Sequence, residues 1–238
     1  MRSYGQYCPV SRASEVLAEP WTMIIVRNLL LGATTFNAIA DGAPGMSRSL
    51  LSKRLDELER AGVITTTPKH QGRGWRYELT QAGTELWEVM QTMGRWGARW
   101  LQIQPSHANP DVVLWSWTTN SLAADRLPDH RVVVKFVFDD QPVRRRRYWL
   151  LFERPDAEVC LKPPGHQEDL VVEADALSLA RWHAGAIEWH QAIRSGHITV
   201  HGPTDLARQL PTWNRRSSFA GHTTPAAPIK PATPPKAP

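Results

Sequence analysis

Ser47-Arg48-Ser49-Leu50-Leu51-Ser52-Lys53-Arg54-Leu55-Asp56-Glu57-Leu58-Glu59-Arg60-Ala61-Gly62 is the stretch on which the reading turns. Ser47 is a good helix N-cap, because its hydroxyl can accept from an amide of the first turn. Gly62 is a natural stop. Leu51, Leu55 and Leu58 recur at helical spacing and mark one buried stripe. Turning that stripe inward leaves Arg48, Ser49, Ser52 and Lys53 outward, close to the helix N-terminus. Val63 to Thr67 and Trp75 to Leu79 follow, two β-rich runs around Gly72-Arg73-Gly74, and they read as a hairpin.

Working outward, three short helices are expected before this stretch. One follows Cys8-Pro9-Val10 and ends near Ala18. A second has Pro20 in its first turn and the apolar side Met23, Ile24, Leu30 and Leu31. A third spans Phe36 to Ala40. Beyond the hairpin, Thr80 caps a long helix to about Leu101, with Leu86, Met90, Met93 and Gly97 along one side. Three short helices, a basic helix and a hairpin make the order of a winged helix-turn-helix. A helix end rich in Ser, Arg and Lys suits a major groove, where side chains meet base edges and amides meet phosphates. The expected DNA-binding residues are Ser47, Arg48, Ser49, Ser52, Lys53 and Arg54 on the helix. His70, Gln71, Arg73 and Arg76 join them on the hairpin, facing backbone or minor groove. A basic helix face taken alone is also what any solvated helix shows, and Asp56, Glu57 and Glu59 share this one. The order and spacing within about 90 residues carry the reading.

The blocks Cys8-Pro9-Val10, Pro20-Trp21-Thr22, Arg27 to Gly32, Thr35-Phe36-Asn37, Leu50 to Leu55, Leu58 to Ile64, Tyr77 to Thr80, Gly83 and Trp96-Gly97 resemble, in order, those of the HxlR family of bacterial transcriptional regulators. The resemblance covers roughly residues 7–102. It implies a winged-helix fold and a homodimer built from the N-terminal segment and the last helix. It also implies a pseudo-palindromic operator, with one recognition helix per half-site. Cys8 stands where several members carry a sensing cysteine, which makes it a candidate redox sensor. The competing reading of Cys8 is an unreactive small apolar residue.

The remainder of the 238 residues has a different texture. Pro105 to Pro110 reads as a linker. Residues 111–212 read as an α+β unit: a helix from Asp111 to Leu127, then strands near 131–138, 145–153, 158–162, 169–174 and 198–201, with helices at 177–183 and 187–193 and a last one through Leu210. Tyr148 to Phe152, Val159 to Leu161, Asp169 to Asp175 and above all Ala192 to Pro203 resemble the sterol-carrier-protein-2-like (SCP2-like) domain. That resemblance implies helices packed on a sheet around an apolar tunnel for hydrophobic molecules. Trp115, Trp117, Trp149, Trp182 and Trp189 are its candidate ligand-binding residues; the alternative is that these rings fill the core. From residue 213 the Pro-rich tail, with six of the 19 prolines after Ser217, is expected to be disordered.

The fold class expected is therefore α+β, with a winged helix-turn-helix at 1–104, a linker at 105–110, an SCP2-like unit at 111–212 and a tail at 213–238. The formal net charge of +5 divides unevenly: residues 1–104 carry 12 basic and 9 acidic side chains, residues 105–210 carry 12 and 14, and the rest carry 4 and none. The second unit is a poor DNA surface on that count. Arg144 to Arg147, its densest charge block, reads as the exposed start of a strand rather than a DNA contact. No apolar stretch reaches the ~20 residues of a membrane helix, and the first ten residues show no secretory core. The two cysteines fit a reducing cytoplasm. His183 with His190, and His197 with His201, have spacings that suit a metal. No carboxylate or cysteine joins them, so neither metal nor cofactor is expected. No nucleophile elbow, P-loop, HExxH or dinucleotide fingerprint is present, and no enzyme activity is expected. The expected function is a dimeric, cytoplasmic bacterial regulator whose partners are double-stranded DNA, a second copy and a hydrophobic effector. A lipid carrier whose winged helix serves protein interaction is the alternative.

Overall fold

The computed structural model describes residues 3–69 and 72–224. The chain divides into two compact units, between Gly94 and Arg95.

In the first unit α1 (Pro9–Leu17), α2 (Thr22–Leu30), α3 (Phe36–Asp41) and α4 (Arg48–Arg60) precede a hairpin of β1 (Ile64–Pro68) and β2 (Trp75–Leu79). Helix α5 (Gln81–Trp100) follows. Ser47 caps α4 as expected, its hydroxyl accepting from the Leu50 amide at 3.2 Å. Leu51, Leu55 and Leu58 enter one core with Ile25, Val26 and Leu29 of α2, Ile39 of α3, and Val63 and Ile64. Polar side chains fix the angle between α2 and α3. Asn28, fully buried, donates to the Ile39 carbonyl at 2.9 Å, and Arg27 donates to the Gly42 carbonyl at 2.6 Å. The hairpin is antiparallel, with Thr66 opposite Tyr77, and Thr35 adds an isolated bridge to Arg76. Thr80 donates to the Gly62 carbonyl at 2.6 Å and accepts from the Gly83 amide at 3.2 Å, so it joins the hairpin to the start of α5. Gly83 is required there: a Cβ would lie 2.1 Å from the Val63 carbonyl oxygen.

One expectation for this unit is corrected. Pro20 lies outside α2, which starts at Thr22 after Trp21 turns the chain with φ at +74°. Met93 shares one side of α5 with Leu86 and the buried Met90. It is 53% exposed, in a stripe with Val89 at 42%, Trp96 at 58% and Trp100 at 63%.

The second unit is α+β. It contains α6 (Pro110–Thr118), β3 (Val132–Val137), β4 (Arg147–Glu153), β5 (Asp156–Cys160), β6 (Leu170–Ala174), α7 (Ala176–His183), α8 (Trp189–Arg194), β7 (Ile198–His201) and α9 (Thr204–Gln209). The sheet order is β5-β4-β3-β6-β7, antiparallel except for β3 with β6. Val134 lies opposite Leu150 in β4 and Leu170 in β6, so β3 is central and sends Val132, Val134 and Phe136 into the core. Asp175 caps α7 by accepting from the Ser178 amide at 2.7 Å.

Here too the sequence expectations need correction. The helix starting near Asp111 ends at Thr118 rather than Leu127, because the hydroxyls of Thr118 and Thr119 bond back to the Leu114 and Trp115 carbonyls, and only a 3-10 turn, Ala124–Arg126, follows. The segment expected as a linker is folded: Pro105–His107 is a 3-10 turn, Ala108 is buried, and Asn109 caps α6 by accepting from the Asp111 amide at 3.0 Å. The start of the expected disordered tail is also folded. Trp213 and Asn214 are buried, and the Trp213 carbonyl accepts from the Ala123 amide at 2.9 Å. Thr223 bonds the Ala184 carbonyl. The rest of that expectation, residues 225–238, lies outside the described residues. No helix among the described residues is long and apolar enough to cross a membrane.

Candidate nucleic-acid interface

Capping and the leucine stripe together decide which way α4 presents its first turns. With the leucines inward, Ser47, Arg48, Ser49, Ser52 and Lys53 are all exposed. Ser47 and Ser49 lie hydroxyl to hydroxyl at 3.2 Å. Arg48 is held in place from α3: it donates to Asn37 Oδ1 at 2.7 Å, and its guanidinium sits 4.9 Å over the Phe36 ring. Such a tether lowers the rotamer freedom a base or phosphate contact would otherwise remove. Asn37 and Phe36 join the site on this geometry; the sequence marks them only within the block Thr35-Phe36-Asn37, with no role at the site.

Arg54 is a correction to the expected DNA-binding set. It faces inward with 7% of its surface exposed. Its guanidinium donates to Glu57 on the same helix, to Glu19 Oε2 at 2.8 Å and to the Pro20 carbonyl at 3.2 Å. Burial works against its charge, and the two carboxylates more than offset this, so its pKa is raised. The pKa of Glu57 is lowered in turn, the Arg54 bond overcoming the cost of burial. Arg54 therefore ties the α1–α2 connection to α4. Removing one partner of so buried a pair strands the other, at a cost of about 3–5 kcal/mol.

On the hairpin Arg73 and Arg76 are exposed. Arg76 pairs with Glu78 at 2.8 Å, which partly neutralises it, and Trp75 beside it is exposed. The expected contacts His70 and Gln71 lie outside the described residues. Cys8, half-buried, is the N-cap residue of α1. Backbone amides of Ser11 and Val10, in the helix's first turn, hold its thiol below the usual range.

The five candidate tryptophans of the second unit are not brought together in one site. Trp117 and Trp182 are core residues, 5.1 Å apart between ring centres. Trp149 is buried and donates to Glu168 at 2.8 Å. Trp115 is half-buried. Only Trp189 lines the cleft of about 580 Å³ found in this unit. The Arg block is not a strand start as expected: Arg144 and Arg145 belong to a 3-10 turn, Val143–Arg145, and only Arg147 begins β4. Arg145 lies 3.1 Å from Asp111, and Arg146 donates to the Gln141 carbonyl. His183 and His190 belong to separate helices, α7 and α8. Among the described residues no group of three or more His, Cys, Asp or Glu side chains could hold a metal.

A family model described as HxlR-like helix-turn-helix matches residues 16–105. An HTH-type transcriptional regulator of Synechocystis sp. is 31% identical over 100 residues, which are 41% of this chain and 73% of that protein. The HTH-type transcriptional regulator YvaP of Bacillus subtilis is 32% identical over 100 residues, 41% of this chain and 92% of YvaP. The reduced form of the transcriptional regulator YodB from B. subtilis aligns at 27% identity and a TM-score of 0.36, over 41% of this chain and 97% of that one.

Proposed function

This chain belongs to the HxlR family of helix-turn-helix proteins and is a transcriptional regulator, and from that membership we propose that it binds a pseudo-palindromic operator as a homodimer. The observation that carries the operator reading is the outward face of α4, where exposed Ser47, Ser49, Ser52 and Lys53 surround an Arg48 already fixed by Asn37. This face enters a major groove, while Arg73 and the hairpin contact the neighbouring backbone. Operator binding belongs to residues 1–104 and effector binding to residues 111–212, the SCP2-like unit. The homodimer reading rests on the exposed stripe of α5, since soluble monomers seldom leave so many large apolar side chains in one row.

The test is an Arg48→Ala/Lys53→Ala double variant in fluorescence anisotropy with duplex DNA from upstream of the protein's own gene. Loss of two phosphate or base contacts should weaken binding by roughly 10-fold or more and reduce the log–log salt slope by about 1–2. Parent-like affinity in the double variant would remove α4 as the reading helix.

Cys8 is the candidate redox sensor in this reading, on the strength of a thiol whose pKa the α1 amides depress. Oxidant should release the parent from its operator and leave Cys8→Ser bound. Release of both alike would refute a role for Cys8.

A further inference from the structure

The cleft of the second unit differs from an apolar tunnel in the chemistry of its walls. One wall is α8, which places Trp189 and Ile193 in one row and His190 and Arg194 in the next. A second part of the lining is α9 with the turn after it, contributing Thr204, Ala207, Arg208 and Pro211. The floor is β7. This strand is at the edge of the sheet, and its consecutive residues Ile198, Thr199 and Val200 all line the cleft. Neighbouring strand residues point to opposite faces, so the cleft must wrap the outer edge of β7 rather than lie on one face of the sheet.

Most of the lining is apolar, and no Asp or Glu is part of it. Helices α8 and α9 instead supply one guanidinium each. Among the described residues neither Arg194 nor Arg208 has an ion-pair partner, a state they share with Arg126, Arg144, Arg146, Arg147 and Arg181, whereas Arg131, Arg145, Arg154, Arg215 and Arg216 are paired with carboxylates. Two unpaired cations flank an apolar cleft in a stretch of chain with more acidic than basic residues. A guanidinium fork matches planar or tetrahedral oxyanions, and apolar walls hold a hydrocarbon body. The volume, about 580 Å³, suits a small molecule.

We propose that this cleft binds a small amphipathic anion, an aryl or medium-chain alkyl carboxylate or phosphate monoester, with its apolar body against Trp189, Ile193 and Val200 and its oxyanion between Arg194 and Arg208. The proposal rests on the reading of the second unit as the effector-binding part of the chain, and it gives that effector its chemical class. Trp189 also touches the core, its ring centre 4.7 Å from that of Trp182, so one ring separates a ligand against it from α7.

The test is calorimetric titration of the full chain with decanoate, decyl phosphate and 1-decanol, each below its self-association limit. One-site binding is expected, with at least one of the two anions about tenfold or more tighter than the alcohol. An Arg194→Gln/Arg208→Gln variant, which changes two exposed side chains and leaves the core intact, should remove that preference and keep the alcohol's affinity. The better of the two anions identifies the head group. Equal binding of anions and alcohol, or an anion preference that survives in the variant, would overturn the anionic class and leave the second unit as a hydrophobic-effector domain. Absence of saturable binding by all three would overturn both.

Discussion

His183 is the last residue of α7, and its buried environment favours the neutral ring. Burial is the main cause, with the charge of Arg216 adding to it, and the two hold its pKa down to about 4 against the opposing hydrogen bond from Asn214 at 3.3 Å. In the unfolded chain the same ring titrates near 6.5. Between those values the unfolded chain binds more protons, so acid favours unfolding. The contribution is intact at pH 7 and above, and it is lost as pH falls from about 6.5 to about 4, by roughly 3 kcal/mol at most. Urea melts of the parent and of His183→Gln at pH 7 and pH 4.5 check this. The parent should lose more stability than the variant over that interval, and equal losses would place the acid sensitivity elsewhere. Arg54 teaches a related lesson at the same scale. Its position beside Ser52 and Lys53 reads as part of a basic face. Which way it turns depends on Glu19, 35 residues earlier, and that distance hides the partner. Arg48 was legible as exposed, but its tether to Asn37 was not, for the same reason.

At the level of elements, α4, the hairpin and the strands β3 to β7 followed from local signals. A capping Ser, leucines at helical spacing, a Gly-Arg-Gly tip and the alternation of Val132, Val134, Phe136 and Phe138 each specify structure within a few residues. Burial of α5 did not follow, because period alone identifies an apolar side without saying what covers it. The observed exposed stripe of Val89, Met93, Trp96 and Trp100 repeats at intervals of four, three and four, the spacing of a seam between paired helices. A Trp96→Glu/Trp100→Glu variant should therefore sediment as a monomer while the parent sediments as a dimer, with far-ultraviolet circular dichroism unchanged. A parent that sediments as a monomer at micromolar concentration would refute this use of the helix. The tryptophans show the same limit. Trp117, Trp182 and Trp189 look alike in the sequence, and only packing separates two core rings from one that lines a cleft.

For the whole molecule, net charge was the least informative property. Its +5 averages over a positive first part, a second part with more acids than bases, and a basic end. The operator reading instead concerns five exposed residues at the start of α4, and the anion reading concerns two arginines that line one cleft. Both are local concentrations that the mean conceals. The change in texture after residue 104 suggests two units, whereas the chain divides between Gly94 and Arg95, within α5. The folding of residues 105–110 and of Trp213 was not legible, since Pro105 and Pro110, which read as linker, here start a turn and a helix, and the Trp213 carbonyl is held by the distant Ala123 amide.

The central claim, sequence-specific operator binding, is most directly tested by competition. The full chain is bound at physiological salt to labelled duplex from upstream of its own gene and challenged with unlabelled duplex of the same or an unrelated sequence. The account predicts that the cognate duplex competes at least ~1,000-fold better than the unrelated one, the low end for specific regulators. Equal competition by both duplexes would contradict it.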